Sequence, residues 1–108
     1  MDYSQPSDFE INCKVAYHIG LKTVERAEEG EFNPCANPSD AYPIITENKI
    51  STMWMTAEKE WCAWSEGDLE EGCWEWENVP DYYFCGESLF RTAMVVFLMM
   101  QDKANANP

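Results

Sequence analysis

Residues 89–101 read LFRTAMVVFLMMQ, with Arg91 the one charge ahead of eight unbroken apolar residues from Ala93 to Met100. The run falls far short of the roughly twenty residues that cross a bilayer. A helix apolar on every side must instead be covered by its own chain. The pattern therefore predicts a buried helix from about Ser88 to Lys103, lying across another layer of structure.

The layer it needs is written just upstream. From Ile50 to about Phe84 aromatic and polar residues alternate: Trp61 and Ala63 interleave with Cys62 and Trp64, and in CWEWE (73–77) Trp74 and Trp76 share one face while Glu75 and Glu77 share the other. A period of two marks half-buried strands. SEGDLEEG (65–72) separates them as a turn, which predicts an antiparallel sheet of three or four strands.

Further out, Ser7 and Glu10 form an S-x-x-E capping box, in which each can satisfy a free backbone donor at a helix start. Ile11, Val15 and Ile19 follow at four-residue spacing with Ala16 beside them, and Gly20 is placed to end that helix. Leu21 to Val24 fits a short strand, and AEEGEFNPCANP (27–38) reads as a loop. A short second helix is expected from Pro38–Asp40, with Pro43 in or near its first turn, Ile44 and Ile45 inward, and fraying near Asn48. The fold class is thus α+β: N-terminal helix, short second helix, small antiparallel sheet and buried C-terminal helix. It forms one domain over 1–108, with 1–6 and 104–108 frayed.

Charge narrows the partners. The 108 residues carry 20 acids against 7 Lys and Arg, a net −13. Nine of those acids lie between 58 and 81 (Glu58, Glu60, Glu66, Asp68, Glu70, Glu71, Glu75, Glu77 and Asp81) with Lys59 alone against them, and no base occurs from Glu60 to Phe90. Such a surface repels phosphate, so direct binding to nucleic acid or to an anionic membrane is disfavoured. It suits a basic groove on another protein, and the nine acids are the candidate partner-binding residues. The bland alternative is a solvated sheet face.

Three stretches, YSQPSDFEINCKVAYHIGL (3–21), NPSDAYPIITENKIS (37–51) and LFRTAMVVFLMMQ (89–101), resemble in order and spacing the start, middle and end of the NinX-type family of small tailed-phage and prophage proteins. The chain departs from that pattern at Glu87-Ser88, where Asn-Pro precedes the Leu in the family, and in the acidic region between the blocks. The resemblance implies a phage origin and no particular biochemical activity. Small acidic phage proteins often imitate DNA against host enzymes.

No other constellation carries chemistry of comparable weight. The Cys13, Cys35, Cys62, Cys73 and Cys85 intervals of 22, 27, 11 and 12 give no short-spaced pair for structural zinc. With no basic-then-apolar leader in MDYSQPSDFE, five reduced thiols in the host cytoplasm are expected. His18, the one histidine, sits near a helix end as an ordinary half-buried residue. Glu66-Gly-Asp68-Leu-Glu70-Glu71 lacks the residue order of a calcium loop. Five Trp close together suit a core, with a protein interface as the alternative. Single-strand stacking would also need a cationic groove.

The resemblance implies a phage accessory protein, and the residue patterns lead to the expectation that it is not an enzyme and holds no cofactor or metal. Its expected role is to bind a basic, nucleic-acid-binding surface of a host protein and inhibit or redirect it. The alternative is a structural or assembly role in which the acids serve only solubility and the chain self-associates through the aromatic sheet, a homodimer being one such assembly. Repulsion among the excess acids should make stability depend on screening. The melting temperature is expected to rise as NaCl goes from low to moderate concentration, and a flat profile by calorimetry would mean that the acids are paired locally.

Overall fold

In the computed structural model, residues 3, 5–65, 68–69, 76–78 and 82–106 are described. Ser7 caps α1 (Asp8–Ile19), its hydroxyl accepting from the Glu10 N–H at 3.2 Å, and Ile11, Val15 and Ala16 are fully buried along its inner face. Ile19 completes the four-residue spacing but is exposed, because α1 ends at that residue.

The chain then departs from the expected strand. Residues 21–28 form a second helix, α2 (Leu21–Glu28). Gly20 alone makes the corner. Its N–H closes α1 on the Ala16 carbonyl at 3.0 Å while its own carbonyl accepts from Thr23 and Val24 to start α2. Its backbone (φ 157°, ψ 165°) lies in a region that glycine occupies almost alone. Lys22, Glu25, Arg26 and Glu28 are good helix formers, and Ala27 is the buried anchor of the turn.

The loop that follows is held by a buried polar network. Asn12 Nδ2 donates to Asn33 Oδ1 at 2.8 Å, Asn12 Oδ1 accepts from the Cys35 N–H at 3.1 Å, and the Asn33 N–H donates to Asp40 Oδ2 at 2.9 Å. These bonds tie α1 to α3 (Pro38–Glu47), which Asn37 caps through the Ser39 N–H. Pro43 lies inside α3, one turn beyond the position expected for it, and Ile44 and Ile45 are buried as their spacing predicts. Lys49 takes a left-handed conformation (φ 55°) after the helix, and the Ile50 N–H returns to the Ile45 carbonyl at 3.0 Å.

The main sheet has the order β1–β2–β5, all antiparallel: β1 (Ser51–Met55), β2 (Glu60–Ser65) and β5 (Tyr82–Gly86). A separate antiparallel pair joins β3 (Asp68–Leu69) to β4 (Trp76–Asn78). The last helix, α4 (Leu89–Ala106), packs on the main sheet and on α1 and α3. It starts one residue later and runs three residues further than expected.

Residues Ala93 to Leu98 of α4 are all buried. On the sheet side Ala63 is fully buried, with Tyr82 and Phe84 packed against the same core. Gly86 is required by this approach, since a Cβ there would meet Thr92 Oγ1 at 2.9 Å. Phe97, 5% exposed, stands edge-on to His18 with ring centroids 6.1 Å apart. Phe97→Ala is expected to cost about 3–5 kcal/mol, read as a shift in the urea midpoint at unchanged slope. An unchanged midpoint would make α4 peripheral.

Candidate functional site

The strand registers sort the sheet's side chains onto two faces. Residues opposite one another in an antiparallel ladder share a face, and neighbours along a strand alternate. Ala63 and Phe84 therefore lie on the side of α4. Trp54 and Trp61, opposite each other in the register, extend that face with rings 5.4 Å apart. The other face carries Glu60, Cys62 and Trp64 from β2, Met53 and Met55 from β1, and Tyr83 and Cys85 from β5. Cys62 and Trp64 are buried there, and Glu60, Met53, Met55 and Cys85 half-buried. β2 is thus covered on both faces along Cys62–Ser65, although its alternation suggested a strand half open to water.

The expectation of five reduced thiols fails at Cys62 and Cys85, which are joined by a disulfide with Cα atoms 4.1 Å apart. The register sets them directly opposite each other on adjacent strands, a juxtaposition that a separation of 23 residues does not reveal. The Tyr83 hydroxyl lies 3.0 Å from Cys85 Sγ and 3.8 Å from Cys62 Sγ, and since a bonded sulfur carries no hydrogen, the hydroxyl is the donor. A carboxylate oxygen of Glu60 and the two sulfurs all fall within 4.8 Å of one another. These three are metal-ligating residue types that come together among the described residues, with both sulfurs held in the disulfide.

The two other described cysteines have a different character. Cys35 is buried, and that burial, reinforced by the Asp8 charge and partly opposed by Arg91, pushes its thiol pKa up to about 12. Burial and then Glu28 raise that of Cys13. A raised pKa keeps a thiol protonated and unreactive, so neither has the character of a nucleophile. His18 is half-buried as expected, in edge contact with Tyr17 and Phe97.

The predicted acidic surface is placed in part. Glu58 is exposed in the turn between β1 and β2, where Lys59 adopts φ 56°, and Glu60 opens β2. The backbone puts Asp68 in β3 opposite Asn78, and Glu77 in β4. Glu66, Glu70, Glu71, Glu75 and Asp81 lie outside the described residues, as do Trp74 and Cys73. Outside this segment Arg91 is engaged internally. Arg91 Nη1 meets Asp8 Oδ1 at 2.6 Å, and Arg91 Nη2 donates to the carbonyls of Pro6 at 2.6 Å and Tyr3 at 3.3 Å. The Tyr3 hydroxyl in turn donates to Asp102, and burial, then that bond and the Asp102 charge, raise the Tyr3 pKa. Sequence spacing signalled neither this clamp nor the sulfur pair, because both join residues far apart in the chain.

An α+β protein with a buried C-terminal helix, an acid-rich sheet segment and no described helix long and apolar enough to cross a membrane is the class these features define. The chain matches the family model described as Bacteriophage P22, NinX over residues 2–101, and it belongs to that family. It is accordingly a phage-encoded accessory protein. Neither the curated proteins nor the solved structures compared with it gave a match.

The disulfide closes a loop spanning 23 positions of sequence. Constraining the unfolded chain over such a loop contributes about 3 kcal/mol. Reduction by a phosphine in metal-free buffer is therefore expected to free two additional thiols per chain and to lower the denaturation midpoint accordingly. Thiol titration that gains nothing on reduction would exclude the bond.

Proposed function

We propose that the protein acts by binding: it presents the acids of 58–81 to a basic, nucleic-acid-binding surface of a host protein and inhibits or redirects it, without catalysing a reaction. The observation that carries this reading is the segregation of charge. The segment from 58 to 81 holds nine acids and one base, and the next base, Arg91, is taken up by Asp8 and two backbone carbonyls. A field of one sign steers a complementary partner over several ångströms and raises its association rate. The same field disfavours nucleic acid as a direct ligand, so the resemblance to DNA would lie in the charge itself. The host cytoplasm is where such a partner would be met.

A second reading, a structural or assembly role through self-association, draws on a different observation. Leu21 and Tyr17 are 84% and 75% exposed, and Phe9, Ile19 and Tyr42 are also open to solvent on the helical side. Scattered apolar residues are ordinary on a monomer, so charge segregation weighs more.

The test begins with capture from host lysate at low and high salt, followed by association kinetics with the protein retained. Glu75→Lys with Glu77→Lys reverses two steering charges at positions that alternate with Trp74 and Trp76. The double variant is expected to remain folded and to associate at least about tenfold more slowly at low salt, with a shallower salt dependence. Wild-type binding indifferent to salt, or a double variant that binds as well as wild type, would remove the basis of the reading. Concentration-dependent dimerisation with no captured partner would favour self-association.

A further inference from the structure

Two thiolates and a carboxylate converging on one point are a ligand set for a thiophilic cation, and the sheet face away from α4 brings together the residues that would supply them. Cys62 and Cys85 oppose each other in the register, and Glu60 returns to the same face two residues before Cys62. The Glu60 oxygen and both sulfurs already lie within 4.8 Å of one another. A tetrahedral zinc ion holds two sulfurs about 3.8 Å apart and a sulfur and an oxygen about 3.5 Å apart, given its bond lengths. Opposed Cβ atoms in an antiparallel pair stand about 4.5–5.5 Å apart. Once the bond is broken, side-chain rotation is enough to reach that spacing, with no change of register.

We propose that the reduced form of this cluster binds one Zn²⁺ through Cys62 Sγ, Cys85 Sγ and a Glu60 carboxylate oxygen, and that forming the Cys62–Cys85 disulfide releases it. A dithiol reductant supplies two electrons, the S–S bond breaks, and the reductant becomes its own cyclic disulfide. Zn²⁺ takes the two sulfurs as thiolates, and two protons leave to solvent. Oxidation runs the exchange backwards and expels the ion, because bonded sulfurs carry no charge and donate weakly.

Several features favour this ion class. Two thiolates discriminate against calcium and magnesium, which take oxygen ligands. The Tyr83 hydroxyl, 3.0 Å from Cys85 Sγ, is placed to donate to that sulfur and orient it from outside the ligand set. Met53 and Met55, opposite Cys62 and Glu60 in the register, make the surroundings soft and half-apolar. Three protein ligands leave a fourth position for water or a group from elsewhere. Cys13 and Cys35 belong to the helical side and take no part. The inference stands apart from the partner reading, since it needs no host protein.

The test uses the full chain, reduced with a phosphine so that no added thiol competes, and titrated with Zn²⁺ against a chromophoric chelator. Reduced protein is expected to bind one zinc per chain, and the disulfide form at least about tenfold more weakly. Cobalt in place of zinc should give a thiolate-to-metal band in the near ultraviolet. Glu60→Gln, which removes one of the three direct ligands, should weaken binding at least about tenfold, and Cys85→Ser should abolish it, whereas the Cys13→Ala, Cys35→Ala double variant should retain it. Should Cys85→Ser fail to fold, wild-type protein loaded with zinc and treated with a stoichiometric thiol oxidant gives the same information by releasing its metal. Reduced protein that binds no zinc, zinc kept after oxidation, or undiminished binding in folded Cys85→Ser would each overturn the proposal.

Discussion

Everything in this fold follows from the need to cover α4 on all sides. Ala93 to Leu98 present no polar flank, so α1 and α3 must close one side and the β1–β2–β5 sheet the other. A domain this small has little spare apolar surface, and the covering elements are correspondingly short. Fully buried small residues lie in the covering layers, Ala16 and Ala41 on the helices and Ala63 on the sheet, and Gly86 leaves the room that Thr92 of α4 occupies. The sheet can be narrow because its task is to shield one helix.

Coverage of α4 also needs the helical layer to hold its shape, and here polar groups act. Asn12 is buried, yet its amide is used twice, by Asn33 and by the Cys35 backbone. A buried amide left unpaired would cost free energy, whereas a satisfied one selects a single loop path. No buried side-chain nitrogen or oxygen among the described residues lacks a partner. Arg91 does the corresponding work at the start of α4, gathering Asp8 and the carbonyls of Tyr3 and Pro6.

Local signals were legible where physics is local. The capping box at Ser7, the proline-led start of α3 and the all-apolar run of α4 each depend on a few adjacent residues, and each element stands within about three residues of where the sequence puts it. The pairing of helices with an antiparallel sheet followed from the change of period. α2 was hidden because Gly20 serves two helices at once, and Leu21 to Val24 is too short for period to separate strand from helix. At the site, the acid-rich segment was plain from composition. The sulfur pair was not, since Cys62 and Cys85 meet through strand register and the intervals of 11 and 12 around Cys73 point nowhere.

The two faces of the sheet thus divide the requirements of a small, highly charged protein. Burial on the α4 face is mostly apolar, with Ser65 and Thr92 as its buried hydroxyls. The opposite face collects what responds to its surroundings: a carboxylate, two sulfurs, a phenol and two thioethers. Repulsion among the acids works against compactness, and a covalent link between β2 and β5 opposes it by restricting the unfolded chain without adding apolar area. The bond joins the two strands that flank the acid-rich segment, so seven of the nine acids of 58–81 fall in sequence inside the loop that the disulfide closes. Charge density and cross-link are therefore matched in position along the chain: the acids can crowd between Cys62 and Cys85 because the ends of that segment are held whether or not its side chains attract.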